Sequence, residues 1–268
     1  MKKTMFAATL ACAATALMMC SCSKPAEQVA APEKNEFNFI VGFDAELPPY
    51  GYKDGDEYKG FDLDLAREVC KRRGWKFVPK PINWDAKDME LNAGTISCIW
   101  NGFTINGRED EYSWTEPYAD NSQVVLVKIG GPVTNLASLS GKTVAVQTDT
   151  PIQKALSEGG DKEDLGKTFK SLLITPNYNN AVMELDSGAV DAIAMDIGVA
   201  KLKISEAPDK FAMLDEIIMS EKYGIGFKKG NDSLRDQVQA TLKEMAADGT
   251  AAKISAEYFE GKNIFTME

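Results

Sequence analysis

The sequence predicts an α/β protein with largely parallel sheets, and three observations carry that prediction. Short β-branched and apolar runs alternate with amphipathic stretches along most of the 268 residues. Several of these runs are apolar almost without a break, as strands covered on both faces are. Polar and aromatic residues follow directly after some of them, at the edge where ligands bind in open α/β sheets.

The strand candidates are residues 39–43, 76–78, 96–100, 124–129, 143–147, 172–175, 192–195 and 223–227. A first helix follows Gly60: Asp62 and Asp64 lie in its first turn, Lys71, Arg72 and Arg73 in its last, and Gly74 caps it. That charge order complements the helix dipole. Phe61, Leu65, Ala66, Val69 and Cys70 fall at helical spacing and form its buried stripe. A second helix runs over 233–247, with Leu234, Val238, Leu242 and Met245 inward and Gly249 behind it. Both helices read as structural.

The N-terminus reads as an export signal over residues 1–21: Lys2 and Lys3, an apolar run over 6–19, then small residues and cysteine. The run is shorter than the roughly 20 residues of a spanning helix, and no later apolar segment is longer. Ser21 before Cys22 resembles a bacterial lipoprotein box, which implies acylation (palmitate) on Cys22; an ordinary cleaved signal is the plainer alternative. Residues 22–36, rich in Pro, Ala and charge, then form a lipid-anchored flexible linker.

Loss of residues 1–21 moves the formal net charge from −10 to −12, and an acidic surface argues against nucleic acid. The chain has no histidine, which removes the Ser-His-Asp triad and His-bound zinc. Beyond Cys22 only Cys70 and Cys98 remain, without metal-site spacing, as buried thiols or as one bridge. No cofactor and no metal are expected. Gly141-Lys142-Thr143 ends like a P-loop, but Leu136 stands where the first glycine belongs and the segment precedes a strand.

Three segments carry recognition chemistry beyond strand ends. Residues 44–50 put a carboxylate and an aromatic on a loop stiffened by Pro48 and Pro49; residues 100–108 combine Gly102, Thr104 and Arg108; Asp196 follows the apolar run 192–195. Each has a plainer reading. Arg108 could form a surface ion pair, Asp196 could cap the next helix, and Trp84 and Trp100 are large enough to be core.

With Gly42-Phe43-Asp44, Tyr58-Lys59-Gly60-Phe61-Asp62, Asn101-Gly102-Phe103-Thr104 and Glu116-Pro117-Tyr118, followed in order by residues 141–147, 191–196 and 223–227, the mature chain resembles the polar amino-acid-binding proteins of bacterial ABC importers. These are family 3 of the extracellular solute-binding proteins. The resemblance implies a two-lobed, type II periplasmic-binding-protein-like fold with two hinge strands. Lobe one would comprise 37–119 and 221–268, and lobe two 120–220.

It further implies that Arg108 binds the ligand's α-carboxylate, with Thr104, Gly102 and Asn101 beside it, and that Asp196 takes the α-ammonium. Asp44, Leu47, Trp84 and Gln147 match positions around the ligand side chain, and Thr150 adds a loop contact. A planar guanidinium suits a carboxylate because it gives two charge-assisted hydrogen bonds. The implied partners are an amino acid, with a polar or basic side chain favoured, and an importer permease. The implied state is a monomer tethered to the cell envelope.

Four departures from the family pattern stand out. The span from Gly102 to Arg108 is one residue shorter, Leu47 replaces a stacking aromatic, Ser97 replaces a common aspartate, and Asp149-Thr150-Pro151 replaces a glycine-containing loop. An enzyme of the dehydratase kind shares this fold and would need Asp44, Glu46 or Asp196 as proton donor. A receptor's sensor module would continue into a spanning helix.

Overall fold

A computed structural model describes residues 37–268; the predicted signal, Cys22 and the linker lie outside them. The first half contains β1 (Asn38–Phe43), β2 (Glu46–Leu47), β3 (Gly51–Asp54), β4 (Glu57–Lys59), α1 (Phe61–Arg73), β5 (Lys76–Pro81), α2 (Lys87–Asn92), β6 (Cys98–Ile99), β7 (Ser113–Trp114) and β8 (Ala119–Lys128). Then come β9 (Thr143–Gln147), α3 (Pro151–Leu156), α4 (Glu163–Gly166), β10 (Ser171–Thr175), α5 (Tyr178–Ser187), β11 (Ala192–Asp196) and α6 (Ile197–Glu206). The chain closes with β12 (Phe211–Met213), β13 (Met219–Tyr223), β14 (Gly226–Phe227), α7 (Asp232–Ala247) and α8 (Thr250–Tyr258).

Two sheets organise these elements. The first has the order β5-β1-β6-β14-β7; the second has β10-β9-β11-β8-β12, with β13 also on β8. A small antiparallel sheet, β2-β3-β4, stands apart. The ladders β1–β5, β1–β6, β9–β10 and β9–β11 are parallel, as expected.

The expectation of largely parallel sheets is corrected by β8, which runs antiparallel to β11, β12 and β13. The reason is topological. β8 carries the chain out of the first sheet's side into the second and β13 brings it back beside β8, so the two crossing strands oppose each other. The predicted strand 223–227 is likewise two pieces, β13 and β14, and the strand 96–100 pairs only over Cys98–Ile99.

Period-two alternation explains why β8 reads as apolar without a break. Val124 and Leu126 enter the main core with Phe39, Val41 and Ile193, whereas Val125 and Val127 face the opposite side with Val144, Val146 and Ala194. On α1 the predicted stripe is buried throughout, and Gly74 closes the helix at φ 66°. Burying each large apolar side chain of that stripe contributes about 1.5–3 kcal/mol.

Gly60 is dictated by space: at φ 137°, a Cβ would stand 2.2 Å from the Tyr50 carbonyl oxygen. The close approach lets Phe61 and Asp62 donate their amides to the carbonyls of Pro49 and Tyr50. Helix α1 is thereby tied to the loop that carries Asp44. Cys70 and Cys98 are both buried free thiols. No helix among the described residues is long and apolar enough to cross a membrane.

Candidate functional site

The carboxyl ends of the parallel strands of the two sheets meet, and the predicted residues gather there. Asp44 follows β1, Asn101 to Arg108 follow β6, Gln147 ends β9 and Asp196 ends β11. Gln147 Nε2 donates to Asp44 Oδ2 at 3.0 Å and so joins the two edges. Asp44 also accepts from the Glu46 amide at 2.8 Å, while its own amide donates to Asn101 Oδ1 at 2.8 Å. Burial raises the Asp44 carboxyl above its ordinary value, against the lowering effect of these donors. Asn101 Nδ2 is buried without a partner.

Arg108, with its side chain 11% exposed, reaches across to the loop after β9. Its Nη2 donates to the Asp149 carbonyl at 2.8 Å, and its guanidinium lies 5.1 Å from the Phe103 ring centroid. Trp84 Nε1 donates to the same carbonyl at 3.3 Å, with the Trp84 ring edge-on to Phe103. Lys87, only 1% exposed, pairs with the Asp149 carboxylate. Asp149 adopts φ 53°, a left-handed conformation that glycine takes without strain, and Thr150 beside it caps α3. The replaced glycine loop therefore supplies a charged bridge.

Leu47 is buried in the main core rather than displayed as a platform. Gly102, at φ 53°, donates its amide to Asp62 Oδ2 at 2.5 Å, and Asp62 Oδ1 accepts from Tyr118 at 2.9 Å. Fully buried, Asp62 is pushed up to about 7 by desolvation. Thr104 Oγ1 donates to Glu221 Oε2 at 3.1 Å.

Asp196 starts α6 but its side chain makes no capping bond, which removes the plainer reading. Its carboxylate instead accepts from Asn121 Nδ2 at 2.6 Å, Gln123 Nε2 at 3.0 Å, the Tyr178 hydroxyl at 2.8 Å and the Tyr223 hydroxyl. Desolvation raises its carboxyl. Trp100 is fully buried and belongs to the core.

Sequence reasoning missed Lys87, Asn121, Gln123 and Glu221, and gave Asp149 and Tyr223, named only within their segments, no role of their own. A signal was available for part of this set. Asn121 and Gln123, two apart at the head of an apolar strand, share one face, as do Glu221 and Tyr223 on β13.

Open cavities flank the Trp84–Asp149–Arg108 contact. One of about 540 Å³ is lined by Asp44, Glu46, Trp84, Asp85, Glu90 and Thr148, among others. Another of about 610 Å³ is lined by Arg108, Glu111, Asp149, Thr150 and Lys154 with their neighbours. The first contains four carboxylates and no basic lining residue.

Comparison with known proteins places this arrangement. Residues 39–261 match the sequence model of the bacterial extracellular solute-binding proteins, family 3. The histidine-binding periplasmic protein of Salmonella typhimurium is 30% identical over 256 residues, covering 91% of this chain and 94% of the relative. The L-cystine-binding protein TcyJ of Escherichia coli is 27% identical over 231 residues, 84% of each chain.

Among solved structures, an ancestral arginine-binding protein bound to arginine is 32% identical, with TM-score 0.75, covering 83% of this chain and 98% of that one. An ABC uptake transporter substrate-binding protein from Streptococcus pneumoniae with bound histidine is 25% identical with TM-score 0.80, covering 85% and 94%. The fold is the two-lobed, type II periplasmic-binding architecture, in which β8 and β13 join the lobes. The chain belongs to the bacterial extracellular solute-binding proteins, family 3.

Proposed function

We propose that this protein captures an amino acid between its two lobes and hands it to the permease of an ABC importer, tethered by acylated Cys22. The observation that carries this reading is the placement of a guanidinium, Arg108, in the segment after β6 and of a carboxylate, Asp196, at the end of β11, each beyond the carboxyl end of a strand in one of the two sheets, with Arg108 reaching the loop after β9. A zwitterion presents the complementary pair. Arg108 takes the α-carboxylate with Thr104 and the Gly102 backbone, and Asp196 takes the α-ammonium. Asp44, Trp84, Asn101, Gln147 and Thr150 surround the rest.

Lobe one comprises 37–119 and 221–268, lobe two 120–220, and the binding unit is a monomer. The acidic lining beside Asp44 and Trp84 favours a basic side chain, because a cation there meets carboxylates and an aromatic face. Relatives named for histidine and arginine agree with that choice. Membership of a binding-protein family supports capture without chemistry, in place of the dehydratase alternative.

A thermal-shift panel of the common amino acids tests the reading. Ligand at 100 times its dissociation constant adds about 2.7 kcal/mol to stability, with arginine, lysine and histidine expected to shift the melting temperature most. No shift with any amino acid would refute it. Release of Cys22→Ala from membranes, with folding preserved, tests the anchor separately.

A further inference from the structure

Two carboxylates lie buried where the crossing strands meet. Glu221, 2% exposed, pairs across the ladder with Asn121. Its Oε2 accepts from Thr104 Oγ1, from Asn121 Nδ2 at 2.9 Å and from Gln123 Nε2 at 3.1 Å. The same two amides donate to Asp196 Oδ1, so the carboxylates share their donors. Among the described residues no lysine or arginine forms an ion pair with either; the cations Lys87 and Arg108 pair with Asp149. Glu221 Oε1, Asn121 Oδ1 and Gln123 Oε1 are buried acceptors without donors.

The titratable groups facing the pair are the phenols Tyr50 of the β2–β3 loop, Tyr178 of α5 and Tyr223 of β13. All three are held neutral by burial and by these carboxylates. Asp62 of α1 faces Tyr50 as well, adding negative charge instead of relieving it. Two ionised carboxylates sharing donors in a desolvated cluster repel strongly, and the relief available to a site without a cation is to keep a proton. Their titration then belongs to the pair.

We propose that Asp196 and Glu221 share one proton in the ligand-free protein and release it when the ligand's ammonium group enters. The inference rests on the reading of Asp196 as the ammonium site. The bond broken is a carboxyl O–H, whose electrons stay on the carboxylate while the proton leaves to solvent. The ammonium's positive charge takes its place, and the ligand is chemically unchanged. Burial and the Asp196 charge, which hold Glu221 up at about 7, agree with a proton retained near neutrality. Glu221 acts as a positioning residue, since it also orients Thr104 and both amides.

Calorimetric titration of the full chain with L-arginine, at about pH 6.5 in two buffers of different ionisation enthalpy, reads the proton directly. More than about half a proton should leave per arginine bound, and affinity should fall as much as about tenfold per pH unit below the pair's titration. In Glu221→Gln the release should drop toward zero. Binding with buffer-independent heat in the wild type overturns the proposal and leaves amino-acid capture standing.

Infrared spectroscopy of the ligand-free chain decides the shared proton without any ligand. A protonated-carboxyl C=O band should be present near neutral pH and be lost in Glu221→Gln and, as a second variant, in Asp196→Asn. A band absent from the wild type, or unchanged in these variants and so owed to Asp62, overturns it. Failure of every amino acid to bind sinks the capture reading instead, and the infrared band still judges the proton.

Discussion

Arg108, which follows β6 of the first sheet, donates a 2.8 Å hydrogen bond from its guanidinium to the main-chain carbonyl of Asp149, which follows β9 of the second. The same residue gathers the Trp84 indole N–H and the buried Lys87 ammonium. Asp149 thus ties the side chains of Trp84, Lys87 and Arg108 to the start of α3.

Asp149→Gly should loosen this bridge without unfolding the loop, because glycine accepts φ 53° and the carbonyl remains. Only the carboxylate is lost. The Asp149 side chain is 44% exposed, so its pair with Lys87 should be worth only about 1 kcal/mol, or about fivefold in affinity. Stopped-flow dissociation should quicken by that factor for every ligand, and a double-mutant cycle with Lys87→Met should return the same coupling. Additive effects in the cycle would show that the Lys87–Asp149 pair contributes nothing to binding.

Arg108→Ala should remove most of the affinity for all amino acids, on the order of a hundredfold or more, because the α-carboxylate is common to them. Arg108→Lys should recover little: an ammonium cannot reproduce the planar fork. Calorimetry on both variants checks this, and an alanine variant of unchanged affinity would move the carboxylate anchor elsewhere.

Asp62 and Glu221 tie the stability of the ligand-free protein to pH. Both are held near 7 in the folded state by burial, and both fall to about 4 when exposed on unfolding. The folded chain therefore binds more protons between those values. Stability is full below about pH 4 for these groups and is lost as pH rises through 7, by at most about 1.4 kcal/mol per pH unit for each. Calorimetric melting should give a higher midpoint at about pH 5.5 than at about pH 7.5. Asp62→Asn should flatten the slope, since an amide can accept from the Gly102 amide and donate to Tyr118; a slope left intact would contradict this assignment.

Asp196→Asn and Gln147→Leu should separate anchoring from selection. Asp196→Asn removes a buried charge while keeping shape, and its loss of about 3–5 kcal/mol should be uniform across ligands. Gln147, bonded to Asp44 beside the acidic cavity, should instead reorder preferences when substituted, because only side-chain contacts differ between ligands. Dissociation constants for arginine, histidine and glutamine on each variant decide it. The division fails if Gln147→Leu weakens all three equally and Asp196→Asn changes their rank.

Legibility from sequence followed the range of the interaction involved. Helix α1, its stripe and its Gly74 cap depend on neighbours within a turn or two, and each stands where its spacing puts it. Strands with an apolar run of their own, such as β9 and β11, were equally plain. The short pieces β2, β3 and β14 were not, since they exist through pairing with distant partners. Asp44 and Asp196 are visible because they follow apolar runs, whereas Gln147 is reached only through the family resemblance.

By itself the sequence determined the α/β class, the absence of histidine chemistry, the principal helices and the strand-end residues from which a site could be built, all of them local or compositional. Only the tertiary structure decided that Asp149 meets Arg108 and Lys87, that Asp196 turns away from its helix, and that Glu221 lies beside it without a cation. Those relations join residues 25 to 62 positions apart. Burial and charge at such contacts arise from how the crossing strands bring two sheets together, and no local pattern encodes that.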